Sequence, residues 1–101
     1  MPRPWPRCWR RPGLDAVFAA SDLMASGALR VLCERGRRVP DDVAVVGFDD
    51  LAPIAESTDP PLTTIRQDIE GMGRLMARLL CEGAQVPSVV TPTRLVLRGS
   101  A

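Results

Sequence analysis

Val43-Ala-Val-Val-Gly-Phe48-Asp49-Asp50 is the stretch on which the reading of this chain turns. Val43 to Phe48 is apolar and rich in β-branched residues, which suits a buried strand. Val39-Pro40-Asp41-Asp42 before it has the residues of a turn. Asp49 and Asp50 stand just past the strand's carboxyl end, the edge at which open α/β sheets bind ligands.

Working upstream, Asp15-Ala-Val-Phe-Ala-Ala20 is a second short apolar run and reads as another buried parallel strand. Ser21 and Asp22 follow it as helix N-cap candidates, because their side-chain oxygens accept from free backbone N–H groups. Ala25, Ala28, Leu29 and Leu32 then recur with helical period, and Arg35-Gly36 closes the segment. Strand, helix and strand of this length make a right-handed parallel βαβ unit.

Downstream, a loop with Pro53, Pro60 and Pro61 leads to the extended Leu62-Thr-Thr-Ile-Arg66. Gln67-Asp68 opens a second helix, in which Ile69, Met72, Leu75, Met76, Leu79 and Leu80 form one stripe. Gly83 stops it. Val89-Val90 and Leu95-Val96-Leu97 suggest a last strand or strand pair interrupted by Pro92. The expected order is β-α-β-β-α-β with a parallel sheet, an α/β fold.

Length and composition bound what such a fold does. A chain of 101 residues, 46% hydrophobic and 25% charged, is one ordinary soluble domain. A net charge of +1 gives no basic field of the kind that marks nucleic-acid binders. All thirteen basic residues are Arg, and His, Lys, Tyr and Asn are absent. The arginine bias fits GC-rich codon usage. Without His there is no imidazole metal site and no Ser–His or Cys–His pair; without Lys there is no Schiff base. The charge is also uneven. Residues 1–13 hold Arg3, Arg7, Arg10 and Arg11, both Trp, four Pro and no acid, whereas residues 14–101 carry a net charge of −3. The basic arm is expected to be disordered, since its prolines deny it regular structure; contact with phosphate or a membrane surface is the weaker reading.

Cys8, Cys33 and Cys81 are an odd, widely spaced set with no C-x-x-C pair, which points to a reducing, cytoplasmic setting. No run is long enough to span a bilayer, and no apolar segment of a secretory signal follows the basic N-terminus. The glycines form neither G-x-G-x-x-G nor a phosphate loop. Gly71 and Gly73 read as close-packing positions, and Met24, Met72 and Met76 as ordinary core.

The chemistry therefore rests on Asp22, Asp49 and Asp50, carboxylates placed to share one sheet edge and to accept hydrogen bonds from ligand hydroxyls. Capping is the plainer role for Asp22 and turn formation for Asp50, while Asp49 is the better ligand contact. Adjacent aspartates also suit a divalent cation, but no third oxygen ligand is identifiable. No nucleophile–base set accompanies them, so neither a catalytic residue, a metal site nor a cofactor is expected, and the chain is not read as an enzyme.

From Asp15 onward the sequence resembles the C-terminal part of the sensor region of LacI/GalR-type transcriptional regulators. Four motifs carry the resemblance, in order: D-A-V-F-A-A-S-D-L-M-A-S-G-A-L (Asp15 to Leu29), R-V-P-D-D-V-A-V-V-G-F-D-D (Arg38 to Asp50), D-P-P-L-T-T-I-R-Q-D (Asp59 to Asp68) and the helix Gly73-Arg-Leu-Met-Ala-Arg-Leu-Leu80. The resemblance implies a partial periplasmic-binding-protein-like (type I) fold, with a sugar or related metabolite bound between two subdomains. It implies effector contacts at Asp49, Ser21 and Asp22, with Phe48 and Gln67 as further candidates. It places Met24, Ser26, Leu51 and Ile54 on a dimer-facing surface, and Thr63 to Gln67 on a crossover between lobes. Family members dimerise and bind operator DNA through an N-terminal helix-turn-helix, for which this sequence offers no counterpart.

Residues 14–101 are thus expected to be one portion of an effector-binding sensor, supplying one wall of the cleft. The second helix's stripe is expected to be exposed for want of the other lobe. The arm carries none of the four motifs and suggests a truncated reading frame or a mis-assigned start. Two other readings are a fragment of a sugar-transport binding protein and a non-functional gene remnant.

Overall fold

The computed structural model describes residues 13–83 and 88–101; the basic arm and its expected disorder therefore lie outside the described residues, Gly13 apart. The elements are β1 (Ala16–Phe18), α1 (Asp22–Glu34), β2 (Ala44–Val46), α2 (Ala52–Ala55), β3 (Thr64–Gln67), α3 (Ile69–Cys81) and β4 (Thr93–Val96). The β-α-β-β-α-β order of the sequence reading is present, with the one-turn helix α2 added in the proline loop.

β1 and β2 pair in parallel, Val17 opposite Val45. The two edges of β2 have different partners, because successive backbone groups point to opposite sides of a strand. Ala44 donates its N–H to the Asp15 carbonyl (2.9 Å), and the Val46 carbonyl accepts from Ala19 (2.8 Å). On the other edge, Gly47 N–H donates to the Thr63 carbonyl (2.9 Å) and Val45 N–H to the Ser100 carbonyl (2.8 Å). Parallel bridges between Val46 and Thr63, and between Asp49 and Arg66, carry the sheet on to β3. β4 then returns antiparallel to β3, so a parallel pair (β1, β2) and an antiparallel pair (β3, β4) are joined by these bridges and the pairing is mixed rather than parallel throughout. A parallel return needs a crossover helix lying on the sheet face, and α3 buries none of its residues.

The core lies between α1 and the β2–Leu62 region. Ala19, Ala25, Leu29, Leu32, Val43, Val45, Ala55 and Leu62 form one buried cluster, made wholly of small and aliphatic side chains. The helical face read from the sequence is the buried one. Ser21 caps α1 by accepting from Met24 N–H (3.2 Å), and Gly36 ends the segment in the left-handed conformation (φ 71°).

Other expectations change. β1 is buried on one face only: Val17 packs half-buried against the core, while Ala16 and Phe18 on the other face are exposed, because no described element covers it. Met24 and Met76 are exposed rather than core. Val89 and Val90 form no strand and are exposed. Gly73 faces open space, whereas a side chain at Gly71 would meet the capping carboxylate of Asp68. The α3 stripe is exposed in part, Ile69, Met76 and Leu80 lying open while Met72, Leu75 and Leu79 are half-buried.

Burial sets the expected costs of truncation. Leu32→Ala, which opens a cavity in the core, should destabilise the chain by about 2–5 kcal/mol. Leu80→Ala should stay within about 0.5 kcal/mol, as a surface change does. Urea denaturation of the two variants measures both, and equal losses would mean that α3 is packed after all.

Candidate functional site

The carboxyl ends of β1 and β2 and the start of β3 meet at one edge, and Asp22 is the group around which they meet. Its side chain is fully buried although it opens α1. One carboxylate oxygen accepts from Leu51 N–H (2.7 Å) and the other from the Thr64 hydroxyl (2.5 Å). Asp22 N–H donates in turn to the Phe48 carbonyl (2.9 Å). Asp22 is therefore neither the cap of α1 nor open to a ligand, because both oxygens are spent inside the protein. A Cβ on Gly47 would overlap this carboxylate and lie 2.9 Å from Leu62, so the glycine of the G-F-D-D run is there to let Asp22 in.

Between the two anchors of Asp22 the chain turns a tight corner. Asp49 and Asp50 both have left-handed backbone, with φ of 104° and 54°. This conformation costs a non-glycine residue about 1–3 kcal/mol and marks sites whose surroundings over-determine it. Asp49 N–H is tied to the Ile65 carbonyl (2.9 Å). Its carboxylate is half-buried and accepts from the Gln67 amide nitrogen at 2.8 Å.

Asp50 meets a different fate. Its side chain is 3% exposed and bridges Arg66 Nε (2.6 Å) and Arg98 Nη2 (2.9 Å). Burial alone would raise its carboxyl, but the hydrogen bonds from Arg66 and Arg98, and their charges, outweigh that and hold it below the ordinary carboxylate range. With both oxygens on arginines, Asp50 is not available as half of a cation site. Among the described residues, no group of three metal-ligating side chains comes together.

Ser21, Phe48, Asp49 and Gln67 are all half-buried at this edge, so the structure brings together four of the five expected effector residues and turns the fifth, Asp22, inward. Of the expected dimer-facing residues, Met24 and Leu51 are exposed, and Ser26 and Ile54 are half-buried. Leu51 lies beside the start of α1 through its bond to Asp22.

Sequence reasoning missed Thr64, Arg98 and Ser100. Ser100 is fully buried; its hydroxyl donates to the Val45 carbonyl (2.6 Å) and accepts from Thr63 N–H (2.7 Å). Arg98 donates to the Leu62 carbonyl (2.9 Å) as well as to Asp50. Two threonines in an otherwise apolar approach to β3 were a signal for Thr64. The Arg98-Gly-Ser-Ala tail offered none.

The family model for the periplasmic binding protein-like domain matches residues 2–101, beginning ahead of the Gly13 boundary read from composition. The HTH-type transcriptional regulator CelR of Thermobifida fusca is 57% identical over 88 residues, 87% of this chain but 25% of that protein. A solved transcriptional regulator CelR–cellobiose complex superposes with a TM-score of 0.78 at 52% identity, covering 86% of this chain and 28% of that one. The lac repressor dimer bound to operator and the anti-inducer ONPF gives a TM-score of 0.78 at 38% identity, with 85% and 31% covered. The chain thus spans about a quarter to a third of the length of these relatives.

Two outcomes follow from the buried carboxylates. Asp22→Ala strands the Leu51 N–H and the Thr64 hydroxyl and should cost about 1–3 kcal/mol for each donor left unpaired. The acid response should track Asp50. Its carboxyl is depressed in the folded chain, so its stabilisation is full above the unfolded value of about 4 and is lost as pH falls through the lower folded value. Urea midpoints at about pH 6 and about pH 3 should fall less steeply in Asp50→Asn than in the parent chain.

Proposed function

The chain belongs to the periplasmic-binding-protein-like domain of LacI/GalR-type transcriptional regulators, and we propose that it forms part of the effector-sensing and dimerisation region of such a regulator. The effector is a neutral sugar or related metabolite. The observation that carries this reading is the Asp49 corner. One Asp49 oxygen is held by Gln67, and the other has no hydrogen-bond partner among the described residues. A half-buried acceptor beside an amide suits a ligand that offers hydroxyl donors. Ser21 and Phe48 complete that wall, Phe48 as an apolar surface for a ring and Ser21 as a hydroxyl beside the capped helix.

The cellobiose in the related CelR complex supports a sugar as the effector. The relatives are regulators, which favours a sensor over a piece of a transport protein. Self-association in the regulator runs through Met24, Ser26, Leu51 and Ile54, and operator contact belongs to the regulator as a whole. Among the described residues no helix is long and apolar enough to cross a membrane, and the sensor is assigned to the cytoplasm with the regulators it resembles.

Thermal melting of the chain with a panel of neutral mono- and disaccharides, cellobiose included, tests the reading. A cognate sugar at one hundred times its Kd should stabilise the chain by about 2.7 kcal/mol. Asp49→Ala should weaken that sugar by about 10–100-fold, the worth of a hydrogen bond to a charged group. A panel in which no sugar moves the midpoint would sink the sensing role of this chain.

A further inference from the structure

Asp49 is held in a strained corner, and the backbone restraints around it leave one gap. Phe48 is fixed by Asp22 N–H, Asp49 by the Ile65 carbonyl, and Leu51 by the Asp22 carboxylate. Asp50 lies between the last two with φ of 54°, and its side chain is what ties it to the rest of the fold. The ties are specific in direction. Arg66 comes from β3, where it is the bridge partner of Asp49 and the immediate neighbour of Gln67. Arg98 comes from the segment after β4 and is itself anchored, by Nη1 on the Leu62 carbonyl and by its backbone N–H on the Thr63 hydroxyl (2.8 Å).

Asp49–Gln67 and Asp50–Arg66 are therefore two crossed side-chain bonds about the Asp49–Arg66 bridge, and Arg98 braces the second of them. We propose that Asp50, braced by Arg98, is a positioning residue that sets the Asp49–Gln67 pair for its ligand; this rests on the reading of Asp49 as the effector contact. The two adjacent carboxylates divide the work by their partners. Asp50 is neutralised by two guanidinium groups and holds the geometry. Asp49 keeps an uncommitted oxygen and meets the effector. With Asp50 uncharged, the corner keeps its backbone bond to Ile65 but loses the side-chain clamp on Arg66, and the Asp49 carboxylate no longer faces the Gln67 amide squarely.

The chain has two glutamines, Gln67 and Gln85, and no asparagine. A sample labelled with side-chain 15N-glutamine thus gives two pairs of amide signals, of which one reports the Asp49–Gln67 bond directly. Asp50→Asn is the test variant, because asparagine tolerates the left-handed backbone while it removes the charge and one of the two acceptors that Arg66 and Arg98 use. It should shift the Gln67 pair towards free-amide positions and speed its hydrogen exchange by about tenfold, the size of one weakened hydrogen bond. Main-chain signals of α1 should stay in place. Arg98→Lys, which keeps the charge, should restore most of the parent Gln67 signal, whereas Arg98→Met should not. Arg30→Met, on the exposed face of α1 where it pairs with Glu34, is the control and should change nothing at Gln67.

A folded Asp50→Asn chain with unaltered Gln67 signals overturns the proposal. Should that variant fail to fold, Arg66→Met removes the more exposed half of the clamp and is read in the same way. Cellobiose titrated into the same samples separates the two claims. Binding by the parent that drops about tenfold in Asp50→Asn supports both. A Gln67 response without any saccharide of the panel binding the parent leaves the positioning role standing and removes the effector reading.

Discussion

A carboxylate buried without solvent must be met by donors at both oxygens, and Asp22 imposes that requirement on everything around it. Its donors come from distant parts of the chain, the Leu51 N–H after β2 and the Thr64 hydroxyl in β3. Satisfying them brings the start of α1 against the ends of two strands. It also excludes a side chain at position 47, where a Cβ would overlap the carboxylate. The short strands β1 and β2 have few ladder bonds of their own, so this polar node contributes what a longer sheet would supply by pairing.

The corner at Asp49 and Asp50 inherits its shape from that node. Because Asp22 grips the chain on either side, the two residues between Phe48 and Leu51 must turn within a short span, and both adopt left-handed backbone. Two neighbouring acids then point to different surroundings. The one facing Arg66 and Arg98 becomes structural, and the one facing Gln67 keeps an acceptor free. The adjacent acids thus divide into one with both oxygens engaged by arginines and one with an acceptor left free.

The apolar surface of the chain is distributed unevenly. α1 buries its periodic face, while α3, with an equally regular stripe, buries nothing. β1 likewise exposes Ala16 and Phe18. Such faces are suited to being covered by a partner surface, and the chain spans about a quarter to a third of the length of the relatives it matches. The buried cluster near α1 and the polar node at Asp22 hold together the portion that packs within this chain.

By itself the sequence determined the order of the elements, the buried face of α1, the helix stop at Gly36 and the placing of Asp49 at a sheet edge. Those features follow from local period, capping chemistry and glycine, which act over a few residues. It also carried the family, since four spaced motifs survive in one dimension. Tertiary structure decided the rest. Whether Asp22 caps a helix or anchors three elements depends on Thr64 and Leu51, 42 and 29 residues away in sequence. Whether Asp50 forms a turn or a clamp depends on Arg98, 48 residues away. Whether the last strand runs parallel depends on whether α3 has a surface to lie on. A hydrogen bond is made by the group that arrives in space, and neither spacing nor composition records which group that is.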